Sequence, residues 1–144
     1  MNSPQGVPVV VIDSSAALKW VLPEPGSERS LALLDAREAG DLVLIAPRVF
    51  MEEAASALTR RFRRKELTLG QAQEAFRLLE RRKPLLADES GLLQSALALA
   101  LRRQLSLWDC LYLALAIERQ CNLITADRRF YRSASKLYPF IELL

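Results

Sequence analysis

The sequence predicts an α/β fold, a parallel sheet of four or five strands with helices on both faces. Three observations predict it. Val9-Val10-Val11-Ile12 is an unbroken apolar, β-branched run, the mark of a strand buried on both faces of a parallel sheet. Strand-like and helix-like segments alternate from there to the end of the chain. The length of 144 residues, 51% of them hydrophobic, suits one domain, since such a chain buries roughly 70% of its unfolded surface. Residues 1–144 therefore read as a single domain without repeats, linkers or low-complexity tracts. Residues 1–7, polar and punctuated by proline, are expected to be flexible.

The first strand ends at Asp13, and Ser14 to Val21 turns helical until Pro23 and Pro25 stop it. A second helix runs from about Ser27 and closes at Gly40, the residue expected just past a helix end. Leu42 to Ala46 is the next strand, and a long helix follows from Pro47 or Arg48 to Arg64. Thr68 and Gln71 have capping-box spacing and open a helix with Ala72, Phe76 and Leu79 inward. A short strand at Leu85–Ala87 precedes an Ala/Leu-rich helix from Ser90 to Arg103. Ser106 opens a helix that is apolar almost all round and so belongs in the core. Asn122 to Thr125 is a strand, Asp127 opens another helix, and Phe140 to Leu143 is the last strand.

Composition excludes several chemistries. There is no histidine, which rules out a Ser-His-Asp triad, Cys-His catalysis, His-ligated zinc and a His general base. The two cysteines, Cys110 and Cys121, form no CxxC pair and read as reduced thiols in or beside an apolar helix. Twenty Lys and Arg stand against 17 Asp and Glu, a net +3 that permits a polyanionic partner without requiring one. The longest apolar stretch, Leu105 to Ile117, is broken by Ser106 and Asp109 and is too short for a membrane span. No signal-peptide core appears, so the expectation is a soluble, cytoplasmic protein without membrane attachment.

Four acidic residues stand where carboxylates are costly. Asp13 follows a buried strand at its carboxyl end, where open α/β sheets bind ligands, although an N-cap role would also explain it. Glu53 has Glu52 as an internal control. At about 100° per residue Glu53 falls inside the apolar arc around Phe50, while Glu52 points away. A core-facing carboxylate must be paired, protonated or bound to a metal, and an arginine partner is one alternative. Asp109 lies in the first turn of the most apolar helix, three residues after Ser106, where a cap is the competing explanation. Asp127 repeats the placement of Asp13 after its own strand.

In a doubly wound sheet those four positions converge on one edge. Four clustered carboxylates raise one another's pKa unless a cation sits among them. Oxygen ligation without His or Cys selects Mg²⁺ or Mn²⁺ over zinc, and such an ion serves phosphoryl displacement.

The segments VIDSSAALKW, APRVFMEEAASALTR and LSLWDCLYLALAIERQCNLITADRRF, with a closing strand, resemble the PIN-domain ribonucleases in order and spacing. Within them they look most like the VapC toxins of bacterial type II toxin–antitoxin pairs. The resemblance spans nearly the whole chain, and its last block is the most specific. It implies a PIN-like three-layer fold and a metal-dependent endoribonuclease (a hydrolase) held inactive by a cognate antitoxin and commonly homodimeric. Carried over, the family's acidic quartet falls on Asp13, Glu53, Asp109 and Asp127 as catalytic and metal-binding residues, with Ser15 and Thr125 as supporting hydroxyls. One departure is Ser56, where the family usually has Asn. A local hydrogen-bond change is expected there, not loss of activity.

Positive charge is clustered as well. From Arg60 to Lys83 nine basic residues face three acidic ones. Arg60, Arg61, Arg63 and Arg64 are candidates for holding RNA backbone, though cations also suit a solvated helix C-terminus. Setting aside the four site acids leaves 20 basic against 13 acidic residues, an acidic pocket on a basic body. Two alternatives stay open: a PIN nuclease of RNA processing without an antitoxin, and a non-catalytic RNA- or protein-binding module. Phosphotransfer folds are rejected. A receiver domain needs paired acids after its first strand and a late lysine after a strand, but Ser14 and Ser15 follow Asp13, and Ser15 stands where a haloacid-dehalogenase-type site needs a second Asp. A homodimer is also expected from apolar helix surface at Leu31, Leu33, Leu34, Leu92 and Leu93.

Overall fold

In the computed structural model, which describes residues 6–144, the run Val9–Ile12 is the central strand β1 of a five-stranded, all-parallel sheet. Its neighbours are β2 (Val43–Pro47), in register Val10 to Leu44, and β4 (Asn122–Thr125), in register Val11 to Leu123. The edges are β3 (Leu85–Ala87) beside β2 and β5 (Ile141–Leu143) beside β4, giving the order β3-β2-β1-β4-β5. Val11 and Ile12 are fully buried, as the β-branched run requires. The flexibility expected for residues 1–7 lies, for 1–5, outside the described residues.

The helices are α1 (Ser14–Ala17), α2 (Ser27–Glu38), α3 (Phe50–Arg63), α4 (Leu69–Arg82), α5 (Leu92–Arg103), α6 (Leu107–Arg119) and α7 (Arg128–Ala134). Parallel strands joined by right-handed crossovers put α1 to α4 on one face and α5 to α7 on the other. In keeping with this, α1 packs on α3, α3 on α4, and α6 lies across β1, β2 and β4 with α5 on its back. Every residue of α6 from Cys110 to Ala116 is buried. The expected three-layer α/β fold is therefore the observed one.

Local chemistry sets most element ends. Thr68 and Gln71 form both halves of the capping box that opens α4. Gly40 takes φ +81°, and the Asp41 amide bonds back to Ala36 at 2.9 Å, closing α2 where a left-handed residue was expected. Ser30, fully buried, donates to the Ala16 carbonyl at 2.7 Å and ties α2 to the helix behind Asp13.

Four details depart from the sequence reading. The segment after Asp13 is one turn of α-helix and then a 3-10 turn, Leu18–Trp20, because α1 cannot extend toward the prolines. The long helix begins at Phe50, since Pro47 still belongs to β2. On α4 the buried residues are Ala75 and Leu79, while Ala72 and Phe76 line a groove against α3. Leu34 and Leu92 are buried in the core and offer no free surface. Both cysteines are free, and burial, aided by the charge of Asp109, pushes the Cys110 thiol up to about 11.

Candidate active site

The strand order reverses direction at β1, so the carboxyl ends of β1 and β4 form the switch point at which doubly wound sheets bind ligands. Asp13 and Asp127 stand there. Asp13 is an extended residue whose amide still donates to the Ile124 carbonyl at 3.1 Å, the last rung between β1 and β4. Its Oδ1 accepts from the Ala16 amide at 3.0 Å and from the Ser15 hydroxyl at 2.6 Å. The N-cap and pocket roles thus coincide in one carboxylate. Burial pushes the Asp13 carboxyl up, and the Asp127 charge adds to this against the hydrogen bonds from Ser15, Thr125 and Ala16.

Ser15 and Thr125 stitch the two strand ends together. The Ser15 hydroxyl accepts from the Ala126 amide at 3.0 Å and lies 3.4 Å from the Thr125 hydroxyl, which accepts from the Asp127 amide at 3.0 Å. Thr125 is fully buried, so it acts on its neighbours and not on a ligand in solvent. Asp127 caps α7 through Oδ1, which accepts from the Phe130 amide at 3.1 Å.

The other two acids come from helix starts. Glu53 is half-buried in the first turn of α3, and Glu52 beside it is exposed, as the helical geometry predicts. Burial pushes the Glu53 carboxyl up, and the charge of Asp13 pushes the same way against Tyr112 and Arg60. Glu53 Oε1 and the Tyr112 hydroxyl are both buried without a hydrogen-bond partner, although the two groups face each other. At the start of α6 the Ser106 hydroxyl accepts from the Asp109 amide at 3.3 Å, the serine half of a capping box, while the Asp109 side chain lines the cleft. Burial, followed by the charges of Asp127, Asp13 and Glu53, holds the Asp109 carboxyl up at about 7.

These four acids line one cleft of about 460 Å³. Arg60, Arg61 and Arg64 line it too, whereas Arg63 lies outside it. Arg60 takes a bond of 3.0 Å to Ser56, and Arg61 is held by Glu24 at 2.6 Å. The two aromatic residues of the lining, Tyr112 and Trp108, were not foreseen. Tyr112 sits three residues after Asp109, and that helical spacing is the signal by which it was findable. A larger apolar groove of about 680 Å³ runs along the other side of α3, lined by Leu58, Phe62, Leu69, Ala72 and Phe76.

Among the described residues no three Asp, Glu, His or Cys side chains converge into a ready metal cage. The donor set nevertheless fits a hard divalent cation. It is all oxygen, three of its carboxyls are pushed up by burial and by one another, and Glu53 Oε1 is an orphaned buried acceptor.

A family model for the PIN domain matches residues 10–136, and the chain belongs to that family, one of nucleases. Solved structures with the same fold include PAE2754 from Pyrobaculum aerophilum, at 20% identity and TM-score 0.66, covering 88% of this chain and 86% of that one. VapC20 of Mycobacterium tuberculosis, described as a sarcin–ricin loop cleaving toxin, is similar at 16% identity and TM-score 0.63, covering 87% and 95%. FitAcB from Neisseria gonorrhoeae is similar at 18% identity and TM-score 0.55, covering 88% and 93%. No curated protein matches the sequence significantly.

Proposed function

We propose that this PIN-domain protein is a Mg²⁺- or Mn²⁺-dependent endoribonuclease and the toxin of a toxin–antitoxin pair. The observation that carries the reading is the meeting of Asp13, Glu53, Asp109 and Asp127, from four separate segments, in one cleft at the switch point. Asp13 and Asp109 are the first choice as metal ligands, with Glu53 and Asp127 completing the set. A bound cation of this kind supplies an activated water and offsets charge in an in-line phosphoryl displacement. Ser15 fixes the Asp13 carboxylate, Thr125 fixes the Asp127 backbone, and Arg60 and Arg64 at the cleft edge hold RNA phosphates.

The toxin reading draws on the likeness in fold to VapC20, a toxin by its description. It also draws on the α3–α4 groove, an apolar trough across α3 from the acid cleft suited to an amphipathic helix of an antitoxin. An arginine on that partner fits among the acids, because a guanidinium is planar, always charged and bonds two oxygens at once. An endoribonuclease of this kind works in the cytoplasm, where its RNA is. No described helix is long and apolar enough to cross a membrane.

Cleavage of a structured RNA with and without Mg²⁺ or Mn²⁺ tests the activity. Asp13→Asn and Asp109→Asn are expected to abolish it, and Glu52→Gln to leave it intact. Full cleavage by Asp13→Asn at matched purity overturns the site. For the partner, the protein encoded beside this gene, with its acid-facing Arg changed to Ala, should still bind while cleavage returns. If no neighbouring protein binds, a nuclease of RNA processing takes the toxin's place.

A further inference from the structure

We propose that Trp108 is a nucleobase-stacking platform at the mouth of the acid cleft, taking an unpaired base of the RNA next to the phosphate that is cut. This rests on the endoribonuclease reading. The two tryptophans contrast sharply. Trp20 is 4% exposed, its Nε1 donates to the Ser30 carbonyl at 2.8 Å, and the Arg37 guanidinium lies 5.6 Å above its ring. Trp108 is 53% exposed and lines the cleft that holds the four acids. An indole open to water amid charged groups forgoes the burial that makes tryptophan favourable.

Its placement fits a nucleotide part by part. Asp109 follows it directly in the first turn of α6, so the ring is one residue from the proposed metal site. Exposed Arg60 and Arg64 come from α3 to line the same cleft and offer charge to phosphates. The buried stretch from Cys110 to Ala116 anchors the helix that carries the ring, so the backbone beneath the platform is held in place before RNA arrives. Two other apolar surfaces stand apart from this cleft: the α3–α4 groove and the exposed Leu93, Leu97 and Leu101 of α5. A base inside a duplex has both faces covered by its neighbours, so a stacking platform selects unpaired segments such as loops.

The test uses the full chain in the Asp13→Asn background, where hydrolysis is stopped. The probes are a short oligoadenylate RNA and a chain of equal length built of abasic ribose phosphates. Oligoadenylate should quench tryptophan fluorescence, and the signal should vanish in Trp108→Phe, because Trp20 is buried. Trp108→Ala should weaken oligoadenylate about 5- to 150-fold, the range for loss of one base–aromatic stack. It should leave binding of the abasic chain and the salt slope unchanged, since no phosphate contact is removed. Trp108→Phe should retain most of the affinity. Unquenched fluorescence, or equal losses for both probes, overturns the platform even where metal-dependent cleavage stands. So does a Trp108→Ala loss confined to a protein partner. If the wild-type protein with Mg²⁺ or Mn²⁺ cuts no RNA, the nuclease reading itself fails, and the two failures are thereby told apart.

Discussion

Because burial and three neighbouring charges hold the Asp109 carboxyl at about 7, the metal-free protein carries a pH dependence of known sign. Between about pH 4 and 7 the folded state binds more protons here than the unfolded chain, so the contribution of Asp109 to stability falls as pH rises through that window and levels off above it. Thermal melts across the window should show this fall, and Asp109→Asn should make it shallower. A variant with an unchanged slope refutes the assignment. Metal competes with the same proton, so apparent Mn²⁺ affinity should climb by up to about tenfold per pH unit below 7 and then flatten. Tyr112 gives a second outcome. Its buried hydroxyl makes no close hydrogen bond yet favours the charged form of the Glu53 carboxyl that it faces. Tyr112→Phe should therefore stabilise the metal-free protein by about 1 kcal/mol while lowering Mn²⁺ affinity, because the Glu53 carboxyl is pushed further up. Melting and metal titration on the same variant check both halves.

Along α3 the arginines divide by what already holds them. Arg61 is spoken for by Glu24, whose carboxyl burial pushes up but which Arg61 and Lys19 together bring below its ordinary value. Arg60→Gln with Arg64→Gln should therefore flatten the salt dependence of RNA binding by about 1.4 log units, at about 0.7 per phosphate contact on a single strand. Arg63→Gln should do nothing to it, and Arg61→Gln should act on stability instead, costing up to about 1 kcal/mol because Glu24 then keeps only Lys19, at 3.3 Å, as its partner. Binding at several salt concentrations, with melts alongside, separates the three. The sequence showed the cluster but not this division, because Glu24 lies 37 residues from Arg61 and meets it only in the folded chain. Short-range signals were legible. The capping box at Thr68, the bounds of Asn122–Thr125 and the inward turn of Glu53 against outward Glu52 all depend on neighbours within one helical turn or strand. Which face of α4 meets the core was not legible, since helical spacing gives angles on α4 without saying where α3 and the sheet lie.

For the whole molecule, Leu93, Leu97 and Leu101 recur every four residues along α5 and are 62%, 49% and 74% exposed. That stripe is the seam we propose for a homodimer, in place of the buried Leu34 and Leu92. Sedimentation at tens of micromolar should show a dimer, and Leu97→Glu with Leu101→Glu should give a folded monomer. A wild-type monomer refutes the seam. The strand order has a consequence of another kind, in time. The four acids come from near residues 13, 53, 109 and 127, and β4, which carries the last of them to the switch point, is the fourth strand the chain supplies. A ribosome extending this chain has made the segments that carry Asp13, Glu53 and Asp109 before Asp127 exists and before β4 can dock on β1. A nascent or truncated chain ending before β4 therefore holds three of the acids and lacks the strand end that brings the fourth. The acidic cleft is therefore complete only after β4 has docked, a delay written into the order of the strands.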